Sequence, residues 1–154
     1  MNWLIRNGLA TFVLVALAAA VQAADGPTVS QAWARATAPG VDVGAVYLTI
    51  DGGAKSDELV SAGTSRASMV HLHTVEESGG VAKMRAIEGV AVPAGKRVVL
   101  APKGTHIMLM GLQQPLVAGQ TFTLNLHFAQ SGDQAVSVVV RPAGADGPPA
   151  QPPR

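Results

Sequence analysis

From Thr28 to Arg141 the chain alternates apolar and polar residues with a period of two, in short runs broken by glycine, proline and aspartate. Successive side chains on a strand point to opposite faces, so this pattern suits a sheet with one buried face. The clearest run is Thr121–Phe128. Phe122, Leu124, Leu126 and Phe128 fall on one face, and Thr121, Thr123, Asn125 and His127 on the other. Burying those four apolar side chains contributes ~6–12 kcal/mol of gross hydrophobic stabilisation. No segment beyond the N-terminal region has a long helical period, and no internal repeat is visible.

The same reading predicts strands near Thr28–Ala36, Gly44–Ile50, Glu58–Gly63, Met69–Val75, Val81–Ile87, Arg97–Ala101, His106–Met110, Thr121–Phe128 and Ala135–Arg141. Turn chemistry separates them, for example Asp51-Gly52-Gly53, Gly79-Gly80, Pro93-Ala94-Gly95 and Ser131-Gly132-Asp133. Eight or nine short strands at this spacing predict an all-β domain, a Greek-key sandwich or barrel. Trp33 is expected in its core. His127, on the polar face of its strand, is expected at the surface without a metal role.

Residues 1–23 read as a secretory signal peptide. Arg6 supplies the positive start, Gly8 to Ala20 the apolar stretch, and Val21-Gln22-Ala23 the small residues of a cleavage site. Removal of Arg6 leaves ten of the eleven basic residues against ten acidic ones, a formal charge of zero with neutral histidines. That balance carries no nucleic-acid or membrane-surface footprint. The expected domain spans residues 24–142. Residues 143–154, rich in Pro, Gly and Ala, are expected to form a disordered tail, because they cannot bury enough surface to offset their ordering entropy. Export to the periplasm is the expected destination, with no membrane anchor after cleavage.

The chain contains no cysteine. An exported protein without disulfides must rest on its apolar core. A blue-copper electron-transfer centre, which needs a thiolate ligand, is excluded, and so is lipidation of a cysteine after the cleavage site. The remaining soft donors are spaced unusually. His73 is followed after ten residues by Met84, Met84 after twenty-one by His106, and His106 after one by Met108. On their strands Met69, His71, His73 and Val75 share one face, and so do His106, Met108 and Met110. A Gly79-Gly80 hairpin brings Met84 near His71 or His73. Imidazole and thioether together form a soft, neutral donor set that suits Cu(I) better than zinc, calcium or magnesium. Each residue also has an ordinary explanation, since a strand methionine usually fills a core and a strand histidine usually makes a hydrogen bond. The residues alone leave both readings open.

The spacing resembles the PCu(A)C family of periplasmic copper chaperones. The family pattern of His, ten residues, Met, twenty-one residues, His, any residue, Met is matched by His73, Met84, His106 and Met108. The surrounding text is similar too: Leu72-His73-Thr74, Met84-Arg85, Val92-Pro93-Ala94-Gly95 and His106-Ile107-Met108-Leu109-Met110-Gly111-Leu112. Upstream, Ala32-Trp33-Ala34-Arg35-Ala36-Thr37 and Ala45-Val46-Tyr47 resemble the family's opening, so the likeness covers nearly the whole domain. It implies a cupredoxin-like fold holding one Cu(I) per chain through His73, Met84, His106 and Met108. It also implies delivery toward the CuA centre of cytochrome c oxidase, directly or through a thiol-bearing copper chaperone. His71 and Met110 are expected to be neighbours of the site or additional ligands. Thr74 stands where some members carry another methionine, and the tail lacks the His and Met residues that bind a second copper ion in some relatives.

No Ser/His/Asp set, paired carboxylates or open zinc site points to an enzyme. The alternatives are copper storage or detoxification, which would use the same site without a docking partner, and a β-sandwich binding module with incidental His and Met residues.

Overall fold

The computed structural model describes residues 25–150, so the expected signal peptide and residues 151–154 lie outside it. Ten strands are present: β1 Thr28–Arg35, β2 Val43–Asp51, β3 Asp57–Gly63, β4 Ala67–Ser78, β5 Val81–Ile87, β6 Val90–Val92, β7 Arg97–Leu100, β8 His106–Leu112, β9 Thr121–Phe128 and β10 Gly132–Arg141. No helix occurs among the described residues. The all-β expectation holds, and the strand beyond the expected nine is the three-residue β6.

The strands hydrogen-bond in the order β5-β4-β8-β2-β1-β10-β9-β3-β6, with β7 also paired to β2. β1 and β10 run parallel, whereas the other pairs are antiparallel. One cluster of buried side chains takes Leu72 from near one end of this path and Val90 and Val92 from the other, so the sheet curls around a single core. β9 shows the expected alternation, with Phe122, Leu124, Leu126 and Phe128 all in that cluster.

Trp33 is buried, but it lies on the face opposite the core. Ala32 and Ala34 belong to the core cluster, and Trp33 between them does not. The cause is a bulge in β1. Ser30 pairs with Thr49 but Trp33 with Tyr47, so Gln31 and Ala32 together oppose Leu48, and Gln31 takes a φ of 53°. An extra residue shifts the phase of the alternation beyond it. Val29 packs on the core, whereas Trp33, four residues later, does not.

β4 and β5 form a hairpin through Gly79 and Gly80, whose φ values of 61° and 76° suit a two-residue turn between the paired Ser78 and Val81. Most of β5 is exposed and only Ile87 packs on the core, so the hairpin projects past the body of the domain. After β10, Arg35 donates to Ala145 O and to Asp146 Oδ1, and Arg141 donates to the carbonyls of Gly147 and Pro148. These bonds hold the first part of the Pro/Gly/Ala-rich segment against β1 and β10.

Candidate metal centre

The register of β4 against β8 places donors in three rows on the outward face: His73 opposite His106, His71 opposite Met108, and Met69 opposite Met110. The residues between them, Val70, Leu72, Ile107 and Leu109, face the core. Leu72, Ile107 and Leu109 anchor the two strands, and the alternation then leaves His and Met no choice but the other face.

The His73 and His106 ring centroids are 6.0 Å apart, a separation that admits one ion at ~2 Å from a nitrogen of each ring. His106 is only 5% exposed. Its Nδ1 lies 3.0 Å from the carbonyl oxygen of Gly104. A carbonyl can only accept, so Nδ1 carries the proton and Nε2 keeps a lone pair for a metal. The Nδ1 atom of His73 is sealed from solvent and has no hydrogen-bond partner. Buried polar atoms are normally paired, and an unpaired imidazole nitrogen on a ring beside a second imidazole suits a soft cation. Burial, together with the neighbouring rings of His106 and His71, holds the His73 pKa below the ordinary histidine value. The ring is therefore kept neutral, as a ligand must be.

The remaining expected positions surround this pair. Met108 lies two residues along β8 from His106, on the same face. Met84 pairs with Val75 on the β4–β5 hairpin, diagonal to His73 rather than directly opposite it. Met84, His106 and Met108 line one groove of about 850 Å³ with Tyr47, Arg35 and Lys103. His71 is exposed and its ring centroid is 6.2 Å from that of His73. Met110 is half-buried beyond Met108. His127 lies apart on β9, beyond β2, β1 and β10, where its Nδ1 meets Asp133 Oδ1 at 2.5 Å.

Two features of this face lie outside the four expected ligands. The first is an aromatic row that continues the His73–His106 pair across the sheet. Tyr47 lies 6.3 Å from His106 and Trp33 4.7 Å from Tyr47, centroid to centroid. The β1 bulge puts Trp33 there, and no local pattern announces it. The second is Met69, whose signal was available: Met69, His71 and His73 occupy every second position of one strand. No group of three or more His, Cys, Asp or Glu side chains able to hold a metal occurs among the described residues. The donors that share this outward face are imidazole and thioether, a set fitted to a soft monovalent ion.

A family model described as "Putative lipoprotein LpqE-like" matches residues 27–140. A relative from Leifsonia xyli subsp. xyli (strain CTCB07), "Putative lipoprotein Lxx21020", is 40% identical over 121 residues, covering 77% of this chain and 71% of the relative. Among solved structures, Cu(I)-bound DR1885 from Deinococcus radiodurans is similar with a TM-score of 0.66 at 29% identity, over 83% of this chain and 85% of that one. The copper-bound PCuAC domain from PmoF2 is similar in fold, with a TM-score of 0.65 at 19% identity, over 75% of this chain and 92% of that domain. With a cupredoxin-like fold and a family match across almost all of its described strands, the chain belongs to the LpqE-like, PCuAC-type family.

Proposed function

We propose that this protein is an exported Cu(I)-binding metallochaperone and not an enzyme. One Cu(I) is held per chain by His73, Met84, His106 and Met108. The observation that carries the reading is the facing imidazole pair. His106 has its tautomer set by Gly104 O, and His73 presents a buried nitrogen with no protein partner. Two methionines on the same face complete a neutral donor set. The similarity to DR1885, whose Cu(I) form has been solved, supports the choice of ion.

A neutral site of this kind suits a carrier. Thioether and imidazole bind Cu(I) less strongly than a pair of thiolates, so transfer to a cysteine-bearing acceptor runs downhill. Met84 is 53% exposed on a projecting hairpin and is the donor most open to replacement by an incoming ligand. Arg35 and Lys103 line the groove beside it. Positive charge favours the thiolate form of an approaching cysteine. The acceptor in this reading is the CuA centre of cytochrome c oxidase or a thiol-bearing copper chaperone that serves it. Export to the periplasm rests on the signal-like N-terminus and on the lipoprotein names of the relatives.

The test is stopped-flow transfer of Cu(I) from the loaded protein to an apo CuA domain at rising acceptor concentration. A rate that climbs with acceptor, above that of release into a chelator, is expected. A rate independent of acceptor and equal to release identifies a store and overturns the chaperone reading.

A further inference from the structure

The methionines of this protein sit where methionines ordinarily do not. The residue is a common filler of apolar cores, yet among the described residues no methionine belongs to the core cluster. All four in the described residues, Met69, Met84, Met108 and Met110, lie on the outward face of β4, β8 and β5. The four proposed ligands use only Met84 and Met108. Met69 and Met110 remain, directly opposite each other in register, and Met69 is 53% exposed.

Directly opposed side chains start with Cβ atoms ~4.5–5.5 Å apart, and each thioether adds a flexible reach. His71 stands on β4 two residues from Met69, on the same face and in the next row. Rows along a strand repeat every two residues, about 6.8 Å. The Met69–Met110 row therefore lies two row-spacings from His73–His106, roughly 13–14 Å by the same rise, with the His71–Met108 row between them. Two ions can occupy such a ladder without sharing all their donors.

We propose that Met69, His71 and Met110 form a second Cu(I) site, weaker and more exposed than the first and continuous with it along the β4–β8 ladder. The donor set is again neutral, two thioethers and one imidazole, and again selects a soft monovalent ion. Its exposure makes it the position an ion meets first from solvent. The proposal rests on the primary site being centred on His73 and His106, since that is what leaves Met69, His71 and Met110 unassigned.

The experiment is an anaerobic Cu(I) titration of the protein carrying 13C-labelled methionine methyl groups, with a weak competing chelator. Two equivalents are expected. The first should shift the Met84 and Met108 methyl signals, and the second those of Met69 and Met110. The M69L/M110L double variant, close to isosteric and altering no core residue, should retain the first equivalent and lose the second. Saturation at one equivalent overturns the proposal, as does a second equivalent that the double variant still binds. Unchanged stoichiometry with slower transfer to an acceptor also overturns it, and assigns the Met69–Met110 pair to partner contact instead. A first equivalent that leaves Met84 and Met108 unmoved refutes the primary assignment alone, because the Met69 and Met110 signals still report the second site.

Discussion

His73 and His106 face each other across β4 and β8 with ring centroids 6.0 Å apart, one ring with its Nδ1 tied to a backbone carbonyl and the other with its Nδ1 tied to nothing. If one ion bridges them, removing either ring should cost more than the roughly 10–100-fold that loss of a supporting partner usually costs. His73→Ala and His106→Ala should each weaken Cu(I) binding beyond that range in chelator competition. The double variant should lose much less than the two single effects combined, since either loss already breaks the site. His127→Ala, which removes the contact with Asp133 remote from this face, should leave affinity within about twofold of the parent. Independent, additive losses would mean that the two rings do not share an ion.

Met108 and Met110 occupy successive rows of one strand face, and only Met108 adjoins the His73–His106 pair diagonally. Met108→Leu should therefore weaken the tight Cu(I) equivalent far more than Met110→Leu, the swap being nearly volume-conserving at both positions. X-ray absorption of the singly loaded protein should show mixed nitrogen and sulfur scattering, with less sulfur in Met108→Leu. A first shell of nitrogen and oxygen alone would remove methionine from the assignment.

Much of this site is legible in the chain because a strand's period of two is rigid. Given Ile107 and Leu109 in the core, His106, Met108 and Met110 must face outward, and the same logic orders β4. What the sequence does not carry is register between strands. Pairing of Met84 with Val75, not with His73, depends on where the two-glycine turn closes. The Gln31 bulge, which turns Trp33 away from the core cluster, leaves no mark in the local pattern. β6 is three residues long between Gly89 and Pro93, too short for a period to show, although Val90 and Val92 are both buried.

Acidification should release the metal. Protons compete for imidazole, and the ordinary histidine pKa is about 6.5. Burial, then the neighbouring rings of His106 and His71, lower the value for His73, so loss should begin below that pH rather than at it. The apo protein should show the matching stability trend. Between the lowered folded pKa and the ordinary value the unfolded chain binds more protons, so stability rises with pH through that window and is fully present above it. Melting curves of the apo protein from pH 5 to 8 should show this slope, and His73→Gln should flatten it. Copper retention that is level down to strongly acidic pH would speak against histidine ligation.

Asp57 offers a control remote from the metal face. Its carboxylate accepts hydrogen bonds from the backbone N–H groups of Glu58, Gln130 and Ser131 and from the Ser131 hydroxyl, which pins β3 to the β9–β10 turn. Burial alone would raise its pKa, but these donors outweigh it and hold it below the usual aspartate range. Stability from this group is present above the unfolded aspartate pKa and is lost as pH falls through the lowered folded one. Asp57→Ala leaves the backbone donors unmatched and should cost on the order of 1–3 kcal/mol in urea unfolding. Cu(I) affinity of the folded variant should not change, and a parallel loss of affinity would show the two regions to be coupled.

The ladder itself depends on one glycine. Gly111 interrupts β8 next to Met110 with a φ of 67°, and a Cβ there would meet the Ser68 hydroxyl oxygen at 2.0 Å. That hydroxyl lies 3.3 Å from the Met110 carbonyl, to which it donates. Gly111→Ala therefore combines left-handed backbone strain with a side-chain collision at the strand pair that carries the donors. Gly80→Ala provides the comparison, since its φ is 76° but nothing lies within 4 Å of the added methyl. Gly80→Ala should cost only the strain, roughly 1–2 kcal/mol. Gly111→Ala should cost more, and a Ser68→Ala background should recover part of the difference by removing the colliding oxygen. Because the distortion falls between β4 and β8, Gly111→Ala should also weaken Cu(I) binding, whereas Gly80→Ala should disturb it less. Urea unfolding and chelator competition on the four proteins test this together. Equal losses for the two glycine variants in both measurements would show that close packing at Gly111 does not hold the register on which the metal face depends.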